Sequence, residues 1–192
     1  MQIRVNDVIL SVTEGDITAW QGDIIVNASN SGLYGGGPVD AAIHRAGGPR
    51  IAEECAAIRL KQGGILPGDA ALTSAGMLSF RGIIHTVGPI WKGGSAGEAA
   101  VLSRCYVSSL DIACSQGARS IAFPNISTGL YNFPKDIACK TAVDTIIRYV
   151  RAVEPLVLPL RRIEFVCFEH ENTLLYETML TTRLLQSDNE TY

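Results

Sequence analysis

The sequence predicts an α/β sandwich built on a central mixed sheet. Short apolar runs of strand length alternate with longer stretches whose apolar residues recur every three to four positions. The first apolar runs follow one another with no helical stretch between them, so the sheet cannot be wholly parallel. A length of 192 residues, 47% apolar and 18% charged, suits one domain with a sizeable core.

The elements follow in order. Met1 to Val5 and Val8 to Val12 read as two strands joined by a turn at Asn6-Asp7. Asp23 to Asn27 reads as a short buried strand, and Asp69 to Thr73, Gly82 to Val87, Ser120 to Phe123 and Arg162 to Phe168 follow in the same style. Val39, Ile43, Ala46, Ile51, Cys55 and Ile58 mark one helical stretch. Gly97 to Gln116 is a second, stopped by Gly117. Pro134 to Val153 is a third, with proline suited to a first helical turn, and Thr173 to Leu185 is a fourth. Glu154 to Pro159 reads as a surface loop and Ser187 to Tyr192 as a frayed end.

Composition excludes several functions. The net charge is -3 and Arg161-Arg162 is the longest basic cluster, so no DNA partner is expected. A small anion stays compatible with that charge, because backbone amides can hold phosphate. The five cysteines form no Cys-x-x-Cys pair, which points to small buried residues in a reducing cytoplasm. His44, His85 and His170 lie far apart with no ligand spacing, so no metal is expected. No basic region followed by an apolar core opens the sequence, and no apolar run approaches the roughly 18 residues of a membrane span, so neither leader nor membrane contact is expected.

Two segments carry chemistry. Asn27 to Asp40 follows a strand and opens a helix, with Gly35-Gly36-Gly37 facing a helix start at Pro38. Three glycines permit close backbone approach, and exposed amides at the positive end of a helix make an anion site. Asp40 and His44 share a helix face one turn apart. Each has an ordinary reading as well: Asp40 answering the dipole, Asn30 in a turn, His44 packed. Phe123 to Pro134 is the second strand-to-helix connection, longer and more polar than a join needs. Two such loops converging at one sheet edge would clamp a diphosphate. Neither a P-loop nor Gly-x-Gly-x-x-Gly occurs. Asn125-x-Ser127-x-Gly129 approximates a nucleophile elbow, but its helix signal comes seven residues after the serine, which disfavours a serine hydrolase.

On these segments the sequence resembles the macrodomain family, closest to the branch that removes acyl or ADP-ribosyl groups from ADP-ribose esters. The resemblance runs through Gly15-Asp16-Ile17-Thr18, Ile24 to Asn30, Gly35 to His44, Ile84 to Pro89 and Ser127-Thr128-Gly129. It implies a three-layer α/β/α sandwich formed by residues 1–186, with 187–192 a flexible tail. It implies ADP-ribose and its esters as ligands, extending to mono-ADP-ribosylated proteins, with no cofactor and a monomeric chain. Asp16 would accept from the adenine amino group, Ile17 would donate its amide, and Phe168 would pack on the base. Gly35, Gly36 and Gly37, with Asn27 and Val39 beside them, and the loop of Ser127, Thr128, Gly129, Leu130 and Tyr131 would hold the diphosphate. Asn30 would fix the distal ribose and Asp40 would activate water. A carboxylate, ionised at neutral pH, suits that role.

The sequence departs from the family at Pro38, where a fourth glycine is usual, at Ala41, where a glycine is usual, and at Ala75-Gly76-Met77 in place of Gly-Tyr-Asn. Pro38 removes one amide donor and stiffens the loop. The alternative expectation is therefore a reader that binds ADP-ribose without cleaving it.

Overall fold

The computed structural model describes residues 1–154 and 157–189. Its β-strands are β1 (Gln2–Val5), β2 (Val8–Glu14), β3 (Ile24–Ser29), β4 (Ala70–Thr73), β5 (Gly82–Val87), β6 (Ser120–Phe123) and β7 (Arg162–Cys167). Its helices are α1 (Pro38–Gly47), α2 (Pro49–Gln62), α3 (Glu98–Ser115), α4 (Lys135–Ala152) and α5 (His170–Asn189). One 3-10 turn, Ile17–Ala19, precedes β3.

The strands form one seven-stranded sheet in the order β1-β2-β7-β6-β3-β5-β4. The inner neighbours are parallel, while β1 against β2 and β4 against β5 are antiparallel. The sheet is mixed for the expected reason: β1 and β2 are joined by a tight turn in which Asn6 takes a positive φ of 50°, and β4 returns beside β5 without a crossover helix. β3 and β5 lie between neighbours and beneath helices on both faces. Nearly every residue in them is buried, as parallel strands covered on both sides require.

Alternation along the strands divides the core in two. Ile24, Val26, Ile84, Phe123 and Phe165 pack with the apolar residues of α3, α4 and α5. Ile25, Ile83, Val87 and Val166 pack with Ile43 of α1 and Ile51 and Cys55 of α2. Helices on both faces complete the three-layer sandwich.

The single helical stretch read from Val39 to Ile58 is two helices. Gly48 has φ 76° and ψ -173°, a conformation that ends α1, and Pro49 disfavours the helical region for the residue before it and starts α2. β3 begins one residue later than expected and runs on to Ser29. β7 ends at Cys167, leaving Phe168 just beyond it. α5 starts at His170 rather than Thr173 and continues through Asn189, so 187–189 are helical rather than frayed. The rest of the expected tail, 190–192, and residues 155–156 of the expected loop lie outside the described residues.

All five cysteines are free, and four of them are fully buried. Burial raises their thiols, to about 11 for Cys55, Cys105 and Cys167 and about 12 for Cys139. Cys114, half-buried, is raised too. Thiolate is the reactive form. In the native protein at pH 8, an aromatic disulfide reagent is therefore expected to modify Cys114 slowly and the other four only after guanidinium unfolding. Fast labelling of more than one thiol in the native state would contradict this packing.

Candidate functional site

The parallel strands β3, β5, β6 and β7 end on one edge of the sheet, where open α/β sheets keep their ligands. The loop from Asn30 to Gly37 leaves β3, and that from Pro124 to Pro134 leaves β6. They face each other across a cleft of about 660 Å³, counting the space at its mouth. Its walls include Asn30, Gly36, Gly37, Val39, Ser127, Gly129, Leu130 and Tyr131, all expected from the sequence. Ala28, Ser29, Pro38, Gly88, Asn125 and Ile126 also line it. Asn27 and Asp40 are buried behind the wall, Gly35 and Thr128 are half-buried in the same two loops, and Asp16, Ile17 and Phe168 lie outside the lining.

The first loop is fastened from two sides. Within it, Asn30 Nδ2 donates to Gly35 O at 2.7 Å, and Tyr34 N donates to Asn30 Oδ1 at 3.3 Å. From α2, Arg59 Nη1 donates to Leu33 O at 2.8 Å, and its guanidinium stands 4.3 Å from the centre of the Tyr34 ring. Leu33 itself is in the left-handed region, φ 54°. Gly37 then serves as the N-terminal cap of α1, with Pro38 in its first turn. The helix start faces the cleft as the sequence predicted.

The opposite loop approaches β5 closely at Gly88. A Cβ there would come within 2.0 Å of Ser127 Oγ and 2.7 Å of Ile126 Cγ2. Ser127 is held at φ 67°, and its buried Oγ has no hydrogen-bond partner. Positive φ is a feature of nucleophile elbows, but no base contacts this hydroxyl and the following helix begins eight residues on, at Lys135. Thr128 turns inward, its Oγ1 donating to Asn125 O at 3.1 Å.

Beyond the cleft, Gly15 N donates to Cys167 O at 2.8 Å, which ties the Asp16 turn to the end of β7 beside Phe168. Asn125 Nδ2 donates to Cys167 Sγ at 3.3 Å, linking that corner to the cleft wall. Phe168 is 74% exposed and Ile17 is buried. Asp16 Oδ1 accepts from both the amide and the hydroxyl of Thr18, each at 2.8 Å.

Behind the glycine loop, Asp40 is 1% exposed. Its Oδ1 accepts from Asn27 Nδ2 and lies 3.6 Å from His44 Nε2. Its Oδ2 is buried without a partner, beside Gly35, where an added Cβ would stand 3.0 Å away. Asn27 Nδ2 also meets His85 Nδ1 at 3.0 Å, and His85 Nε2 meets Thr73 Oγ1 at 2.8 Å. The buried His85 ring, lowered to about 4 mainly by desolvation and then by the charge on His44, is neutral at pH 7.

Sequence spacing separated the histidines; the fold reunites two of them. Ligand atoms of His44, Cys55 and His85 all lie within 4.8 Å of one another. The hydrogen bonds oppose a metal there. Nδ1 of His85 accepts from an amide, so its proton sits on Nε2, the atom that faces Cys55 at 4.0 Å. Of these residues the sequence singled out Asp40, His44 and Asn27; His85 and Thr73 were missed. The available signal was period two: His85 shares a strand face with Ile83 and Val87, a polar residue on an apolar face.

Six buried side-chain polar atoms lack partners among the described residues, and four of them belong to this site: Asn27 Oδ1, Ser29 Oγ, Asp40 Oδ2 and Ser127 Oγ. Such atoms are rare in folded interiors and suit a site built to receive polar groups.

Residues 26–142 match the model of the family described as Macro domain. The chain is 47% identical to an O-acetyl-ADP-ribose deacetylase of Citrobacter rodentium over 90% of its length and 95% of the relative's. It is 46% identical to a Macro domain-containing protein of Listeria monocytogenes over 92% of its length and 99% of the relative's. The fold is similar to the Oceanobacillus iheyensis macrodomain with MES bound, at TM-score 0.90 and 34% identity over 97% of both chains. It is also similar to the Trypanosoma brucei macrodomain in complex with ADP-ribose, at TM-score 0.80 and 34% identity over 89% of this chain and 68% of that one.

Ser127 combines a left-handed backbone with an unpaired buried hydroxyl. Replacement by glycine relieves both and is expected to stabilise the unliganded protein by about 1 kcal/mol, raising Tm by roughly 2–4 °C. A fall in Tm on calorimetric melting would show that the hydroxyl is already satisfied.

Proposed function

The chain belongs to the macrodomain family, and from that premise we propose that it binds ADP-ribose in the cleft between the two loops and hydrolyses esters at its distal ribose. The substrates are O-acyl-ADP-ribose and mono-ADP-ribose esterified to acidic side chains of proteins. The observation that carries this reading is the set of four unpaired buried polar atoms at this edge of the sheet: Asn27 Oδ1, Ser29 Oγ and the carboxylate oxygen Asp40 Oδ2 on the side of the three glycines and the α1 start, and Ser127 Oγ on the opposite loop.

The residues divide the ligand between them. Asp16, the Ile17 amide and exposed Phe168 form the corner for the adenine. The Gly35 to Gly37 backbone, beside Val39, and the Ser127 to Tyr131 loop flank the diphosphate, where amides at the α1 start favour negative charge. Asn30 keeps a second amide hydrogen and a carbonyl lone pair for the distal ribose after bonding its own loop. Asp40 directs its unpaired Oδ2 at the attacking water. Water adds to the ester carbonyl carbon, the acyl carbon–oxygen bond to the ribose breaks, and carboxylic acid and ADP-ribose leave. Asp40 takes the proton that the water loses and returns it to the departing ribose oxygen, which leaves as the hydroxyl and regenerates the carboxylate. The site needs no cofactor for this, because the nucleophile is water and the charge is met by fixed dipoles.

Five free thiols support action in a reducing cytoplasm, and the proposed acting form is a monomeric single domain over residues 1–186. Among the described residues no helix is long and apolar enough to cross a membrane.

Asp40→Ala is expected to keep ADP-ribose affinity within a few-fold by calorimetry and to lower hydrolysis of O-acetyl-ADP-ribose by at least about 100-fold. Equal rates would remove Asp40 from the mechanism. Absence of turnover by the wild type, with tight binding, would favour the reader that Pro38 suggests. Pro38 lines the cleft at the first turn of α1 and presents no amide there. Pro38→Gly is expected to raise kcat by about 2- to 10-fold through the added donor, with some loss of Tm. An unchanged kcat would show that this donor is not used.

A further inference from the structure

The polar chain behind Asp40 has a direction that follows from its donors. Thr73 donates its hydroxyl proton to Ser74 O at 2.9 Å, so its oxygen accepts from His85 Nε2. His85, neutral, then offers Nδ1 as an acceptor to one hydrogen of the Asn27 amide. The other hydrogen of that amide goes to Asp40 Oδ1. Thr73, His85, Asn27 and Asp40 sit on β4, β5, β3 and α1, and all are buried. Register makes this possible: Asn27 pairs with His85 across β3 and β5, on the face that α1 and α2 cover.

We propose that His85 is a positioning residue for hydrolysis, fixing the Asn27 amide as a fork that locks Asp40 Oδ1 and so aims Oδ2 at the reacting water. This deepens the hydrolytic reading of the site and rests on it. It also moves Asn27 from a ligand-binding to a positioning role, since both hydrogens of its amide are taken by Asp40 and His85. A carboxylate anchored through only one oxygen rotates about its Cβ–Cγ bond unless its partner is itself fixed. Asn27 could turn its amide as well, and the lone pair on Nδ1 is what prevents it. A protonated His85 would present a second donor to the amide and break the fork. The groups facing the ring are His44, with centroids 6.3 Å apart, Cys55 at 4.0 Å, and the nearby carboxylate of Glu54. Burial, with His44 beside it, outweighs the attraction of that carboxylate and keeps the ring uncharged.

Two measurements on the full chain test this. Long-range proton–nitrogen NMR on labelled wild type reads the tautomer without reference to turnover: His85 is expected to show a protonated Nε2 and a bare Nδ1 from pH 8 to pH 5. A proton on Nδ1 would overturn the proposal. Kinetics with O-acetyl-ADP-ribose then compare His85→Leu with His85→Gln, which retains an acceptor for Asn27 and a donor for Thr73. His85→Leu is expected to lower kcat about 10- to 100-fold while KM and the Kd for ADP-ribose stay within about 3-fold, and His85→Gln to recover most of that loss. Thr73→Val, which removes the acceptor of Nε2–H, supplies the same readout if His85→Leu does not fold, with an expected fall in kcat of about 3- to 10-fold. Unchanged kcat in these variants, or parallel loss of kcat, affinity and Tm with no recovery in His85→Gln, would reduce His85 to a packing residue. No turnover by the wild type would instead defeat the hydrolytic reading, and the tautomer would still report on the fork.

Discussion

The pairing of Asn27 with His85 across β3 and β5 is the constraint on which the site depends. In this register both side chains stand on the sheet face covered by α1 and α2, with Asp40 descending from α1 to meet them. A slip of one residue by either strand would turn its polar group into the layer of α3, α4 and α5, among Phe123 and Phe165, and leave the other without its partner. The apolar alternation of Ile24, Ile25 and Val26 opposes that slip, because it assigns successive residues to two different cores. Hydrophobic burial thereby sets the place of a carboxylate that takes no part in it.

Much of the fold was legible because the strongest signals are periodic. β2, β3, β5, β6 and β7 stand close to where apolar runs put them, and the turn at Asn6 and the stop at Gly117 follow from the conformations those residues favour. The split between α1 and α2 was written in Gly47-Gly48-Pro49, but apolar spacing runs through it: Ile43 and Ile51 both reach the same core. Periodicity reports which side of the chain is buried, and two helices in sequence can share that side.

The site was legible where it is made of backbone and obscure where it is made of neighbours. Three glycines before a helix start announce an anion site by local geometry alone. His85 announces nothing locally, since its meaning comes from strands that pair with it from residues 27 and 73. Asn27 is obscure for the opposite reason. It opens the segment that forms the cleft, but its place inside β3 points it beneath the loop that it introduces. Asp16 and Phe168, remote in sequence, are brought to one corner by the pairing of β2 with β7, which ends at Glu14 opposite Cys167 and is closed by the Gly15 to Cys167 bond, and no spacing rule records it.

The fastening of the first loop has a further consequence for traffic through the cleft. Arg59 holds the backbone at Leu33 and the ring of Tyr34, and Pro38 fixes the chain again at the start of α1. Between these anchors Gly35 O accepts from Asn30 Nδ2 and Gly37 O accepts from Ala41 N, so the glycine run is held at both ends by the chain's own bonds. On the proposed reading, a nucleotide entering the cleft meets a loop already shaped to receive it, and the entropy of ordering that loop is lost in folding and not in binding.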